Sequence, residues 1–445
     1  MGELGTGAIE SADSPSLPIP TETVDVVVIV GTRPEAIKLF PVVAALENHP
    51  RLRPFVISTG QHAEMVNSVF GAAGLQPDVD LEVGRPGLLL NELSAATIAG
   101  VEKTITERYG PAPAAVGESA THPVIGLVHG DTSSAAAGAL ALFHNRIPVA
   151  HVEAGLRTFD TQSPFPEELN RQLITRIASL HFAPTAENLQ NLIREGIDVG
   201  QIAVTGNTGI DAFIWAAHQD QPYERPELQW LETDTETPVV TITAHRRENW
   251  GTGITDIATA IKTLAETHPD TKFVWPVHPN PKVAATVKGV LDGVPNVILT
   301  EPLDYVPFAR LLARSKLVIT DSGGIQEEAP TLGVPVLVAR DATERGEGIA
   351  AGTIKLVGTN PTNIVRDANK LLTDEAERQA MASKANPYGD GHAAERIIAA
   401  LSDLAFQTPT PDAYGPAYTR TQVLSHTHQA HALNNREPNG AAQNV

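Results

Sequence analysis

Short β-branched runs alternate along the chain with longer Ala- and Leu-rich amphipathic segments, which predicts an α/β fold. The alternation occurs in two successive groups, so two Rossmann-like domains facing each other are expected. The runs are apolar at consecutive positions rather than at every second one, so both faces of each strand should be covered, as in parallel sheets flanked by helices. A length of 445 residues agrees with two or three domains at roughly 150 residues each.

Residues 1–25 are rich in Gly, Ser, Pro and acidic side chains, show no period of a helix or a strand, and read as a disordered leader. The first domain, 26–206, opens on VDVVVIVG and continues through PFVIST, VIGLV, IPVAHV and IAVTG. Between Gly206 and Gln229, GNTGIDAF reads as a hinge helix and QDQPYERPELQ as a polar connection. The second domain, 207–391, carries PVVTITA, KFVWPV, NVILT, KLVIT and VPVLVA. A helix over 392–407 is expected to pack back on the first domain. Residues 408–445 turn to Pro, His, Asn and Gln and read as a disordered tail; its His426, His428 and His431 have no carboxylate or Cys beside them to complete a metal-ligand set.

Composition narrows the function classes. The 32 basic residues against 52 acidic ones give a formal charge of -20, which argues against a nucleic-acid groove or a basic membrane-facing segment. Without cysteine there is no disulfide, thiolate metal site or cysteine nucleophile. No apolar run approaches the roughly 18 residues of a membrane span, and the opening residues lack a basic region followed by an apolar stretch. The cytoplasm is the expected compartment. GxGxxG and GxxxxGK[ST] are both missing, so neither NAD nor P-loop ATP chemistry is indicated, and the protein's own side chains are expected to do the chemistry.

The candidate chemistry sits where strands end. In GTRPEAIK, Thr32 and Glu35 have capping-box spacing and Pro34 suits a first helical turn. Capping alone does not call for Arg33 or Lys38, and two cations beside free N–H groups suit an anionic ligand such as a phosphate. Asp131 in HGDTSS follows the strand VIGLV; it reads equally as a helix N-cap or as a functional acid. The next strand delivers Glu153 to the corresponding place, and SPFPEELNR adds Glu167, Glu168, Asn170 and Arg171. Carboxylates crowded into one crevice should raise some of their pKa values and suit proton transfer. In the second half, TAHRREN places His245, Arg246 and Arg247 at a strand end, and WPVHPNP adds His278. TDSGGIQEEAPTLGVPVL offers a small-residue turn at Ser322, Gly323 and Gly324 before a helix starting near Ile325. Its N–H groups can hold a diphosphate, and Glu328 is placed to accept from ribose hydroxyls.

With GTRPEAIK, HGDT, HVEAGLRT, SPFPEELNR, TGNTGIDA, TAHRREN, PVHPNP, TDSGGIQEEAPTLGVPVL and NPYGDG in one order over roughly Val24 to Leu404, the chain resembles the non-hydrolysing UDP-N-acetylglucosamine 2-epimerases. The resemblance implies a glycosyltransferase-B type fold with the active site in the cleft between the domains. It also implies reversible interconversion of UDP-GlcNAc and UDP-ManNAc through elimination of UDP to 2-acetamidoglucal and re-addition. The family's catalytic groups fall on Asp131, Glu153, Glu167 and His245, and its substrate-binding groups on Arg33, Lys38, Arg171, His245, Ser322, Gly323, Gly324, Glu328 and Arg345. No cofactor or metal is implied, and a homodimer is. Which carboxylate removes the proton and which returns it stays open. Some bacterial members take a second UDP-GlcNAc as activator through a Gln-rich patch beside Gln61 and His62 and an Arg-Gln pair; here Glu64 follows in QHAEM and no Gln follows Arg85. Gly346 stands after Arg345 where the family often has Pro. A glycosyltransferase, a hydrolytic epimerase and a silent sugar-nucleotide sensor are the rival readings.

Overall fold

The computed structural model describes residues 23–85, 87–112, 124–406 and 408. The expected tail with its three histidines, and the leader up to residue 22, lie outside the described residues. A first sheet holds β1 (Val24–Val30), β2 (Leu52–Ser58), β3 (Val79–Asp80), β4 (Val124–His129), β5 (Val149–Val152), β6 (Leu180–Ala183) and β7 (Ile202–Val204). Helices α1 (Arg33–Glu47), α2 (Ala63–Ala72), α3 (Leu90–Tyr109), α4 (Ser133–His144), α5 (Glu167–Ile177) and α6 (Ala186–Arg194) connect these strands in turn. After α7 (Thr208–Ala217) comes a second sheet of β8 (Val239–Thr243), β9 (Lys272–Pro276), β10 (Val297–Thr300), β11 (Leu317–Thr320), β12 (Val336–Val338) and β13 (Ile354–Leu356). Its connections are α8 (Thr252–Thr267), α9 (Pro281–Leu291), α10 (Tyr305–Arg314), α11 (Gly323–Glu328) and α12 (Gly346–Ala351), and α13 (Pro361–Thr373), α14 (Glu375–Ala382) and α15 (Ala393–Phe406) follow.

The strand orders are β3-β2-β1-β4-β5-β6-β7 and β10-β9-β8-β11-β12-β13, parallel throughout. In β1 the alternation of Cβ directions divides one apolar run between two cores. Val24, Val26, Val28 and Val30 join Leu39, Phe40 and Val43 of α1, whereas Val27 and Ile29 join Val101 and Ile105 of α3 and Ala139 and Leu142 of α4. Each buried Val or Leu contributes about 1.5–3 kcal/mol relative to exposure, which is why the run carries no polar face. The second sheet repeats the design: Leu317, Ile319 and Leu337 face α8, α9 and α13, and Val318, Val336 and Val338 face α10 and α11.

Two segments differ from the sequence expectation. Val24 and Asp25, placed in the leader, belong to β1: Val24 pairs with Leu52, and the Asp25 carboxylate accepts from Tyr109 Oη at 2.9 Å and faces Arg108 at 3.2 Å. The polar connection is packed against the second sheet, because Tyr223, Leu228 and Leu231 are buried with Val239, Val274 and Leu311. The unforeseen strands β3, β6 and β13 are short, and in LHFA of β6 no β-branched residue signals a strand.

Helix α7 belongs to both cores: Ala212 lies in the cluster of β1 and α1, and Phe213 and Ala216 in that of α10 and β11. Helix α15 lays Ile397, Ile398 and Leu401 against the β1–α1 core. Its first free N–H groups, on Ala393 and Ala394, donate to the Asp211 carboxylate of α7 at 3.3 and 2.8 Å. Burial pushes the Asp211 pKa up to about 6 in spite of these bonds. No helix among the described residues is long and apolar enough to cross a membrane.

Candidate active site

The order of each sheet reverses beside its first strand, at β1/β4 and at β8/β11, and the crevice outside the carboxyl ends at such a switch point is where open α/β sheets hold ligands. Gly31 follows β1 where a Cβ would lie 2.7 Å from Ser134 Cβ and 2.8 Å from Thr59 Oγ1, so only glycine lets three turns meet there. Glu35 binds those turns together. Its carboxylate accepts from the Gly31 and Thr32 N–H groups, from the Thr32 hydroxyl and, at 2.8 Å, from Thr132 Oγ1 after β4. The capping box read in GTRPEAIK is therefore also a clamp between two strand ends.

Thr132, not Asp131, caps α4, accepting from the Ala135 N–H at 3.0 Å. Asp131 is thereby left to Arg171 of α5, whose Nε and Nη2 donate to Oδ2 at 2.9 and 2.7 Å. Glu153 follows β5 with φ +64°, a left-handed conformation that costs a non-glycine residue on the order of 1–3 kcal/mol and is kept only where the surroundings require it. Lys38 of α1 donates to its Oε2, and His129 Nε2 stands 3.7 Å from the same oxygen. Burial disfavours the Glu153 charge, but Lys38 and His129 outweigh it and hold the carboxyl well below the usual range. Burial likewise opposes the Lys38 charge, and Glu153, Glu327 and Asp131 more than offset it, raising the Lys38 pKa. The expected upward shift from crowded carboxylates is thus not found at Glu153, because the carboxylates arrive with cations between them.

Glu167 begins α5, half-buried, and its side chain makes no hydrogen bond or ion pair with a described residue. Its neighbour Glu168 is structural: fully buried, it accepts from the N–H groups of Thr158 and Phe159 at 3.0 and 3.3 Å and from Arg171 at 3.1 Å. Arg157, with a side chain 0% exposed, reaches Thr175 Oγ1 at 2.7 Å and Glu195 at 2.5 Å. Part of the charge in HVEAGLRTFDTQSPFPEELNR therefore holds its own loop.

The second sheet builds its turn around Asp321, fully buried, which the sequence reading passed over. Its carboxylate accepts from the His245 N–H at 2.9 Å, the Arg246 N–H at 2.9 Å and Asn249 Nδ2 at 2.9 Å, fixing the loop after β8. His245 is half-buried and stacks on His278 with centroids 5.4 Å apart. Burial lowers its pKa, Asp321 opposes this, and His278 and Arg246 add to it. Ser322 precedes α11, which begins at Gly323 rather than near Ile325. A Cβ on Gly323 would come within 3.2 Å of Glu344 Oε1 and 3.3 Å of Arg246 Nη2, so that turn is closely walled by charge, while Gly324 beside it is exposed.

Glu327 and Glu328 end α11 in opposite states. Glu327 receives Arg345 Nε at 2.5 Å and Asn207 Nδ2 at 2.8 Å. Glu328 makes no ion pair with a described residue; burial, reinforced by Glu327 and opposed by Lys38, pushes its pKa up to about 7. Arg345 keeps its position before Gly346 through Glu327 and through Glu344 at 3.3 Å.

The two strand-end clusters act on each other. Lys38 of the first domain feels Glu327 and Glu328 of the second, and the Tyr305 hydroxyl, its pKa raised by burial and then by Glu328, feels Arg33 at the exposed start of α1. The Asn207 N–H donates to the Tyr388 carbonyl at 2.8 Å, and the Tyr388 hydroxyl accepts from the Gly348 N–H at 3.0 Å, so the NPYGDG segment ties α7 to α12. Asp321, Glu327, Asn207 and Tyr388 were missed as positions; Asp321 follows the apolar run LVIT and Asn207 follows Gly206, whose φ is +86°, whereas Glu327 and Tyr388 carry no such local signal.

Two parallel sheets with charged strand ends, cations at those of the first and a small-residue turn with paired acids at those of the second, define a two-domain α/β protein of the glycosyltransferase-B type. The model of the family described as UDP-N-acetylglucosamine 2-epimerase matches residues 44–402. The chain is 45% identical over 384 residues to the UDP-N-acetylglucosamine 2-epimerase of Yersinia pestis, covering 85% of this chain and 98% of that protein. It is likewise 45% identical to that of Escherichia coli K12, over 85% of this chain and 98% of the other. Among solved structures, the UDP-GlcNAc 2-epimerase from Neisseria meningitidis bound to UDP-GlcNAc is 40% identical with a TM-score of 0.70, covering 85% of this chain and 99% of that one. This chain belongs to the UDP-N-acetylglucosamine 2-epimerase family.

Proposed function

We propose that this protein interconverts UDP-GlcNAc and UDP-ManNAc, supplying ManNAc-type sugars to surface-polysaccharide synthesis, in the cleft between the two sheets. The observation that carries the reading is Lys38, paired with Glu153 in one domain while responding to Glu327 and Glu328 in the other. C2 of the sugar bears no carbonyl to acidify its proton, so proton removal must be coupled to departure of UDP. The C1–O bond breaks with its electrons going to UDP, the C2 proton passes to a carboxylate, and 2-acetamidoglucal remains. Return of a proton to the opposite face of C2 and re-addition of UDP at C1 complete the inversion. Asp131, Glu153 and Glu167 supply the acid/base groups, the order among them being open. Arg33, Lys38, Arg171, His245, Ser322, Gly323, Gly324, Glu328 and Arg345 hold the nucleotide sugar, and preorganised cations and N–H groups stabilise the leaving diphosphate.

A nucleotide sugar is too highly charged to cross a membrane unaided, which supports a cytoplasmic site of action. A homodimer is supported by Leu169 and Leu173, four apart on α5 and 41% and 48% exposed, together with Phe165 just before the helix, 61% exposed. Sedimentation of Leu169→Glu should then give half the wild-type mass. The reaction itself is tested by NMR of UDP-GlcNAc with enzyme in D2O. UDP-ManNAc deuterated at C2 is expected; free ManNAc, transfer to an acceptor, or unchanged substrate would replace this reading with one of its rivals.

A further inference from the structure

His129 is the last residue of β4 and has no assigned task in the chemistry above. Its side chain is 4% exposed, and neither ring nitrogen makes a hydrogen bond with a described residue. A buried imidazole normally finds a partner, and its neighbour on β5 does: His151 Nε2 lies 2.7 Å from the Gly130 carbonyl. His129 is placed differently. The ionisable groups acting on it are Glu35 of α1, and His151 and Glu153 on and after β5. Glu35 has no need of it, since four donors from Gly31, Thr32 and Thr132 already occupy its carboxylate. Glu153 is the open client. Its Oε2 takes Lys38 on one side and has His129 Nε2 at 3.7 Å on the other, just outside hydrogen-bond length.

We propose that His129 is a positioning residue for Glu153, the reserve donor that engages Oε2 when Lys38 is drawn toward the diphosphate. The inference rests on the proposed reaction. Lys38 cannot serve a carboxylate and a leaving diphosphate equally at every stage, because the carboxylate must exchange a proton while the diphosphate gains charge. A second donor on the side of β4 keeps Oε2 aimed through that exchange without carrying a proton away itself. A residual donor of this kind also fits the left-handed backbone at Glu153, which fixes where its side chain starts but not where its oxygens point.

The test compares His129→Phe, which keeps the ring volume and removes the donor, with His129→Gln, which returns an N–H near the Nε2 position. Wild-type turnover in D2O is measured first, since failure to form UDP-ManNAc there would remove the proposed reaction and leave this inference without a subject. Given wild-type turnover, His129→Phe should lower kcat about tenfold or more with KM nearly unchanged, within the usual range for general acid/base machinery. It should also move the acidic limb of the kcat–pH profile to higher pH, because a carboxylate that loses a donor holds its proton more tightly. His129→Gln should restore most of both. If His129→Phe does not fold, His129→Asn, whose shorter amide falls short of Oε2, takes its place with the same readouts. A donor-free variant with wild-type kcat and acidic limb overturns the proposal, as does a pair of variants that lose melting temperature equally while keeping the profile's shape.

Discussion

The carboxyl ends of the two sheets treat their acids in opposite ways. After β4 and β5, Asp131 and Glu153 are each matched by a cation, Arg171 and Lys38, and the Glu153 pKa is driven down. After β11, Glu328 sits beside another acid without an ion-pair partner among the described residues, and its pKa rises to about 7. Burial pushes both glutamates toward neutrality, so burial is not the cause of the difference. The cause is which charge stands next to each: a lysine beside Glu153, and Glu327, already occupied by Arg345, beside Glu328. On the proposed reaction, the region that moves protons keeps its acids ionised by partners it can withdraw, whereas the region proposed to grip neutral hydroxyls holds an acid near its titration point until ligand arrives.

The largest effects that could break this contrast come from the first sheet. Asp131→Asn, Glu153→Gln and Glu167→Gln should each retain UDP binding by calorimetry and lose at least about 10²-fold in turnover, the scale of a missing acid/base group. Any of the three that turns over near the wild-type rate leaves the catalytic set. Glu167 is the sharpest case, because its side chain stands without a partner among the described residues, so its replacement breaks no ion pair whose loss could imitate a catalytic one.

His245 tests the boundary between the two regions. In the free site burial, His278 and Arg246 lower its pKa against the pull of Asp321, so the ring is expected to be neutral near pH 7. A bound diphosphate supplies negative charge and should raise it. The protonated ring, present below its pKa and lost as pH rises, would then assist UDP departure only in the complex. The alkaline limb of kcat should accordingly lie at higher pH than that of kcat/KM, which reports the free enzyme. His245→Asn should slow turnover on the order of tenfold and abolish that separation. Coincident limbs in the wild type would mean that His245 acts through structure alone.

Much of this was legible because parallel strands announce themselves as apolar runs and because chemistry must sit where those runs end. Glu153 and His245 could be proposed for the site on that ground, and Asp131 and Lys38 with the help of the motifs around them. What could not be read was pairing across the sequence. Nothing local says that Arg171 will meet Asp131 or that Thr132 will take over the cap, since both depend on the β4–β5 register and on α5 lying beside it. The upward shift expected among the crowded acids is not found at Glu153 for the same reason: Asp131, Glu153 and Glu167 were visible as acids, but the compensating lysine lies over a hundred residues away in GTRPEAIK. Helix α7, read as a hinge, shows the same limit, because membership in two cores is a property of the assembled sheets rather than of GNTGIDAF.

The smallest effect concerns Glu328 and sharpens the contrast most directly. A carboxylate accepts hydrogen bonds from two ribose hydroxyls, whereas a protonated acid must use one oxygen as donor. With a free-state pKa of about 7, Glu328 is half protonated at neutral pH, and binding must first remove that proton. UDP-GlcNAc is the proper probe, since its diphosphate is esterified at both ends and does not titrate near neutrality, unlike free UDP. Affinity should rise with pH, and the ionised fraction of a group titrating at 7 grows about tenfold between pH 6 and 8, which bounds the gain in Kd. Glu328→Gln, carrying an acceptor but no titration, should bind UDP-GlcNAc more weakly at pH 8 and show a flat profile. Calorimetry across that range decides: equal slopes in the wild type and Glu328→Gln would assign the pH dependence to another group and leave Glu328 as a buried acid with no part in holding the ribose.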